Sequence, residues 1–159
     1  MKKLQKLSIL LPLALGVLIL DQVSKWYILT YLLKPGEYIN VFPFFDLVLV
    51  WNRGVSFGFL GNLPLDLSTV LAAFAVVASA LMTFWFFKSK TAFMHFGLSL
   101  MIGGAVGNAI DRLRFGAVTD FLHFYWGHYS FPAFNLADSA ITVGVILVIL
   151  DGFWNQKGA

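Results

Sequence analysis

The sequence predicts a membrane protein, mainly α-helical: a four-transmembrane-helix bundle carrying a small extracytoplasmic β-sheet and an outer loop between spans three and four. Three observations predict it. The 159 residues are 59% hydrophobic and only 12% charged, whereas a soluble domain averages about 25% charged, so too little polar surface remains to coat a globule in water. Four apolar runs, about 7–32, 67–87, 92–112 and 134–154, approach the ~20 residues a helix needs to cross hydrocarbon. Short β-branched and aromatic runs, "EYINVF", "DLVLVWN" and "VSFGFL", lie together in the outer segment 34–66. With no repeat, low-complexity tract or linker, residues 1–159 read as a single membrane domain.

The first run, "MKKLQKLSILLPLALGVLIL", opens like a signal peptide, with lysines followed by apolar residues. It continues as "LDQVSKWYILTYLL" without a small-residue cleavage site, so it reads as an uncleaved first span with Trp26, Tyr27 and Tyr31 in the far interfacial belt. The segment 34–66 is too small for its own core and is expected to form a β-meander or hairpin on the outer membrane surface, Trp and Phe toward lipid. "KSKT" makes a tight inner hairpin between spans two and three, and 111–133 is expected to be an outer loop. Lys2, Lys3, Lys6, Lys88, Lys90 and Lys157 flank one side against Lys34, Arg53, Arg112 and Arg114 on the other. This bias predicts both termini on the cytoplasmic side of the membrane. Because the 11 Lys and Arg stand in small groups at the ends of apolar runs, they give topology and exclude a nucleic-acid partner. The absence of Cys excludes disulfides, thiolate catalysis and thiolate zinc sites.

Polar residues interrupt the spans at one depth. Asp21 and Lys25 fall in the outer half of span one, Asn108, Asp111 and Arg112 at the outer end of span three, Asn135 and Asp138 at the outer start of span four, and Asp120 in the outer loop. Hydrocarbon penalises such groups, so a shared level points to a site between helices. Asp21–Lys25 and Asn108–Arg112 are both i,i+4 pairs, each on one helix face. Gly103-x-x-x-Gly107 permits a close helix approach that would bring Asn108 and Arg112 near span four.

The candidate chemistries differ in their support. No G-x-S-x-G is present, and the adjacent Ser24 and Lys25 do not face each other on a helix. Asp120, His123 and His128 in "VTDFLHFYWGHY" lack a zinc-ligand pattern, and no metal or cofactor is expected. Asp138 read alone is a helix-capping acid, and Asp120 alone a solvated loop acid. Together with Asn108, Arg112 and Asn135 at the same level, they suggest a carboxylate pair sharing one proton. One acid would accept a proton from water while the other polarises a peptide carbonyl. Two rival readings are an ion-coupled transporter using Asp21, Lys25 and Asp138, and an assembly subunit associating through Gly103 and Gly107. Against the transporter, the inner halves of the spans carry no acid except Asp151 at the inner end.

Five blocks in order, "DQVSK", "NRGVSFGFL", "GGAVGNAIDR", "VTDF" and "FNLADSAITVG", make the sequence resemble the bacterial lipoprotein signal peptidases, type II, over nearly its whole length. The resemblance implies a four-helix membrane aspartic peptidase with an outer β-cradle. Its substrates would be lipid-modified prolipoproteins, cut just before a diacylglyceryl-bearing cysteine in contact with membrane lipids. It implies Asp120 and Asp138 as the catalytic pair, with Asp21, Lys25, Asn52, Gly54, Asn108, Arg112, Asn135 and Ala137 binding substrate or supporting the site. The chain is expected to act as a monomer, with its site near the extracytoplasmic face.

Overall fold

The computed structural model describes residues 3–54 and 67–155. The strand expected at "VSFGFL", and the flanking charges Lys2 and Lys157, lie outside the described residues. Helix α1 (Lys3–Tyr27) runs on into a π-helical turn, Ile28–Leu32, closed by the Leu33 N–H on the Ile28 carbonyl at 3.0 Å. Strands β1 (Tyr38–Phe42) and β2 (Phe45–Asn52) follow, then α2 (Leu67–Lys88) and α3 (Ala92–Phe115). The chain ends with β3 (Val118–Trp126), β4 (Tyr129–Ser130) and α4 (Leu136–Asn155). All four helices are long and apolar enough to span a membrane. Phe74, Leu81 and Phe84 of α2, each more than 60% exposed, face where lipid would be.

Helix α3 is the hub, packing against each of the other three. Its small residues allow this. A Cβ built on Gly103 would lie 2.6 Å from the Ala14 carbonyl oxygen of α1, and one on Gly104 2.5 Å from the Ala137 carbonyl oxygen of α4. The glycines therefore close two different interfaces within one chain, Gly103 on α1 and Gly104 on α4. Leu10, Phe86, Met94 and Leu98 form a core at the end of the bundle that holds the α2–α3 turn, and Ile28, Leu33 and Phe121 form another beneath the sheet.

The four strands form antiparallel pairs in the order β1-β2-β3-β4. This corrects the expectation of a loop between spans three and four: residues 118–130 are mostly strand. "VTDFLHFYW" is β-branched and aromatic, and β1 with β2 alone would be a marginal two-stranded hairpin, so β3 completes the sheet. Span four also starts later than its apolar run. Phe134 is held as extended backbone, accepting from the Phe121 and Leu122 N–H groups (3.0 and 2.8 Å) and donating to the Leu122 carbonyl (3.0 Å).

Candidate active site

That three-bond clamp to Phe134 is what brings residues distant in sequence together. It ties the start of α4 to the middle of β3, so Asn135 lies beside Asp120 and reaches it with its amide: Nδ2 donates to Asp120 Oδ1 at 2.7 Å. Asn135 is also the residue from which α4 starts. Its Oδ1 accepts the Asp138 N–H (2.9 Å) while Asp138 Oδ2 accepts the Asn135 N–H (3.2 Å), a reciprocal capping box. Asp138 thus caps the helix, as its position alone suggests, and keeps Oδ1 for another partner. That oxygen accepts from Asn108 Nδ2 at 2.7 Å. Both acids therefore converge, with Asn135 bonded to each of them.

Asp120 is 1% exposed. Its second oxygen accepts from Asn52 Nδ2 at 2.9 Å. Val50 pairs with Asp120 and Asn52 with Val118 across β2 and β3, so Asn52 and Asp120 are diagonal neighbours on one sheet face. Asn52 is fixed in turn by the Gly54 N–H, which donates to Asn52 Oδ1 at 2.8 Å. Gly54 adopts φ +90°, where a side chain would be strained. The pKa of Asp120 is raised to about 6, chiefly by burial and also by the charge of Asp138, against the lowering effect of the Asn52 and Asn135 amides.

Beneath the acids lies a buried ionic cluster. Lys25 Nζ contacts Asp21 Oδ2 at 2.8 Å and Asp111 Oδ2 at 3.0 Å, and donates to Asn108 Oδ1 at 3.0 Å. An ammonium has three hydrogens, and these contacts engage all of them. With its Oδ1 accepting from Lys25 and from Asn135 Nδ2 (3.2 Å), Asn108 must turn its amide nitrogen toward Asp138. Asp21 accepts the Ala137 N–H at 3.0 Å, satisfying an orphan donor in the first turn of α4, and Asp111 accepts the Thr119 N–H at 3.0 Å, pinning the start of β3. Gln22 Nε2 donates to Asp111 Oδ1 at 3.0 Å. One lysine thus links α1 to α3, and its two acids hold the elements that carry Asp120 and Asp138.

The geometry adds to the sequence reading and corrects it. The sequence places Asp111 among the polar residues at this depth but assigns it no role in the site, and it does not single out Gln22; they sit inside "GNAIDR" and "DQVSK", and a polar residue within a span was the available signal. Asn108 and Arg112 do share a helix face, but Arg112 bonds neither acid. Its Nε is buried without a partner among the described residues. With Asn108 it ends a cavity of about 380 Å³ lined chiefly by Leu71, Phe74 and Met82 of α2 and Ile141 of α4. The described residues hold no cluster of three metal-ligating side chains.

Four apolar spans, with two convergent acids held at one end by amides above a buried ion cluster, define the class: a multi-pass membrane protein with a polar site between its helices. The comparisons narrow this. The chain belongs to the signal peptidase (SPase) II family, which matches residues 13–154. It is 44% identical over 152 residues to the lipoprotein signal peptidase of Nitrobacter hamburgensis, covering 92% of both chains. It is 43% identical over 147 residues to that of Neisseria meningitidis serogroup C, covering 91% of this chain and 89% of the relative. A bacterial membrane enzyme structure solved in meso at 2.3 Å resolution superposes with a TM-score of 0.80 at 34% identity, over 93% of this chain and 89% of that one. Another, at 1.9 Å, gives 0.78 at 35% identity over 89% and 90%.

Proposed function

We propose that this chain removes signal peptides from lipid-modified prolipoproteins, cutting just before the lipidated cysteine, with Asp120 and Asp138 as an aspartic pair. The observation that carries the reading is Asn135, bonded to both acids at once. Asp138 accepts N–H bonds from the Asn108 side chain and the Asn135 backbone at the start of α4, which hold it as the base of the pair in this reading. Asp120, nearly fully buried and with its pKa raised to about 6, is the acid of the pair in this reading, competent in the fraction of molecules where it is protonated. Asp138 takes a proton from the attacking water while Asp120 donates its own to the scissile carbonyl oxygen, giving a tetrahedral diol. The diol collapses as Asp138 returns a proton to the leaving amine and Asp120 recovers one from the diol hydroxyl, so both acids end as they began. No covalent enzyme intermediate forms.

The signal helix must unwind at the cut, because a helix satisfies its own backbone. Asn135's amide hydrogens are engaged by Asp120, Asn108 and the Thr119 carbonyl, so Arg112, with its buried Nε unpartnered among the described residues, is the donor placed to receive freed carbonyls. The apolar cavity between α2, α3 and α4 would take hydrocarbon from the substrate. The sheet would rest on the outer leaflet, with both termini cytoplasmic and the chain acting as a monomer in the inner membrane. The family does not favour an ion-coupled transporter, and Gly103 faces α1 within the same chain, which weakens the case for a dimer seam.

The test is cleavage of a lipidated preprolipopeptide by purified Asp120→Asn and Asp138→Asn proteins, with thermal unfolding confirming that each is folded. Each should lose at least ~10³-fold in rate. A folded variant of either kind that cleaves at the wild-type rate would overturn the pair.

A further inference from the structure

At the end of the bundle opposite the acids, Lys6 of α1 is 9% exposed. Its Nζ donates to two backbone carbonyls, Phe87 at 2.7 Å and Ser89 at 2.5 Å, at the C-terminal end of α2. These partners are neutral. Among the described residues no carboxylate comes within ion-pair distance of Lys6, Lys88 or Lys90, Asp151 of α4 included. A buried ammonium without a counter-charge is costly, and helix-end carbonyls compensate it only in part. Two hydrogens serve those carbonyls, which leaves the third.

Lys6, Lys88, Ser89 and Lys90 meet around a cavity of about 350 Å³. Unlike the groove beside Asn108, this cavity is lined mainly by polar groups. Three lysines from two chain segments therefore line a polar space at a membrane boundary. Lys88 also lies over the Phe84 ring, 4.3 Å from its centre, and Leu81, Phe84 and Trp85 are exposed along α2 just inside that boundary. A phosphate in the cavity would sit beside a surface suited to acyl chains.

We propose that this cavity binds a phosphate monoanion, and specifically the headgroup phosphate of an anionic phospholipid whose chains lie along α2. A basic pocket between helix ends at the headgroup level has the charge and depth for such a ligand. The phosphate supplies the missing counter-charge, holds the α2–α3 turn against α1, and so stabilises the hub helix from the end remote from catalysis.

The experiment measures thermal unfolding and lipid retention of the purified protein in a neutral detergent, with phosphatidylglycerol, phosphatidylcholine or inorganic phosphate added. Phosphatidylglycerol should raise the unfolding temperature and remain bound where phosphatidylcholine does not. If inorganic phosphate at millimolar concentration displaces the lipid, the headgroup phosphate is the part recognised. If phosphatidylglycerol binds selectively and phosphate does not displace it, the acyl track contributes as well. Lys6→Met is the direct variant but removes a helix cap, so Lys88→Gln/Lys90→Gln, which alters only exposed side chains, is the second. It should fold, cleave lipopeptide at the wild-type rate in phosphatidylcholine, and bind phosphatidylglycerol roughly tenfold or more weakly. Equal stabilisation by the two lipids, or unchanged phosphatidylglycerol affinity in the double variant, overturns the site.

Discussion

Lys25→Met removes an ammonium whose three hydrogens all have partners: Asp21 at 2.8 Å, Asp111 at 3.0 Å and Asn108 at 3.0 Å. The two carboxylates left behind are 0% and 1% exposed, so water cannot replace the lost contact. Removing one partner of a buried ion cluster costs about 3–5 kcal/mol, out of a total stability of roughly 5–15 kcal/mol. For a chain of this length that corresponds to a fall of about 6–20 °C in unfolding temperature. A second effect is separate. Without Lys25 on its Oδ1, the Asn108 amide loses the contact that turns its nitrogen toward Asp138, and the acid loses a 2.7 Å donor. Misplacing a reacting group by about 1 Å costs on the order of 10²-fold in rate. The assay is lipopeptide cleavage by detergent-purified variant, run well below its own unfolding temperature so that lost rate is not lost fold. If the variant unfolds within about 2 °C of wild type and cleaves normally, Lys25 neither holds the elements nor orients the amide.

The remaining predictions concern the proton and the packing. Asp120 must be protonated in the proposed reaction, and its raised pKa of about 6 means the competent fraction falls as pH rises through that value. The kcat/KM of the wild type should therefore drop about tenfold per pH unit above it. Asn52→Leu removes a hydrogen bond that favours the ionised form of Asp120, so Asp120 keeps its proton longer and the alkaline limb should move to higher pH; an unmoved or lowered limb would contradict the assignment. Gly107→Ala places a Cβ 2.6 Å from Asp21 Oδ2 in the buried cluster and should destabilise by about 1–3 kcal/mol in thermal unfolding. Gly152→Ala on the same scale meets nothing within 4 Å and should be neutral or stabilising by up to about 1 kcal/mol.

Much of the fold was legible because lipid simplifies the code. A chain that must satisfy its backbone internally and bury polar groups away from hydrocarbon shows its spans as apolar runs and its site as interruptions in them. The Asp21–Lys25 pair could be read in the same way, since i,i+4 spacing on a helix fixes proximity locally. The strand at Val118–Trp126 was harder, because a β-strand needs a partner and β2 lies more than sixty residues earlier. Residues with strand propensity but no visible neighbour read as loop. Asp111 was harder still: its partners Lys25 and Gln22 are on α1 and Thr119 is on β3, and no sequence spacing connects them to it.

By itself the sequence determined the membrane class, the four spans and the shared depth of the polar residues, because each follows from local composition and helical periodicity; it singled out Asp120 and Asp138 as candidates through that depth and the family resemblance. The tertiary structure decided how the acids meet. The Phe134 clamp onto Leu122 sets Asn135 between Asp120 and Asp138, and the Lys25 cluster fixes which way the Asn108 amide points. Hydrogen-bond direction depends on which donors and acceptors remain unpaired once every element is in place, and only the packed structure determines that.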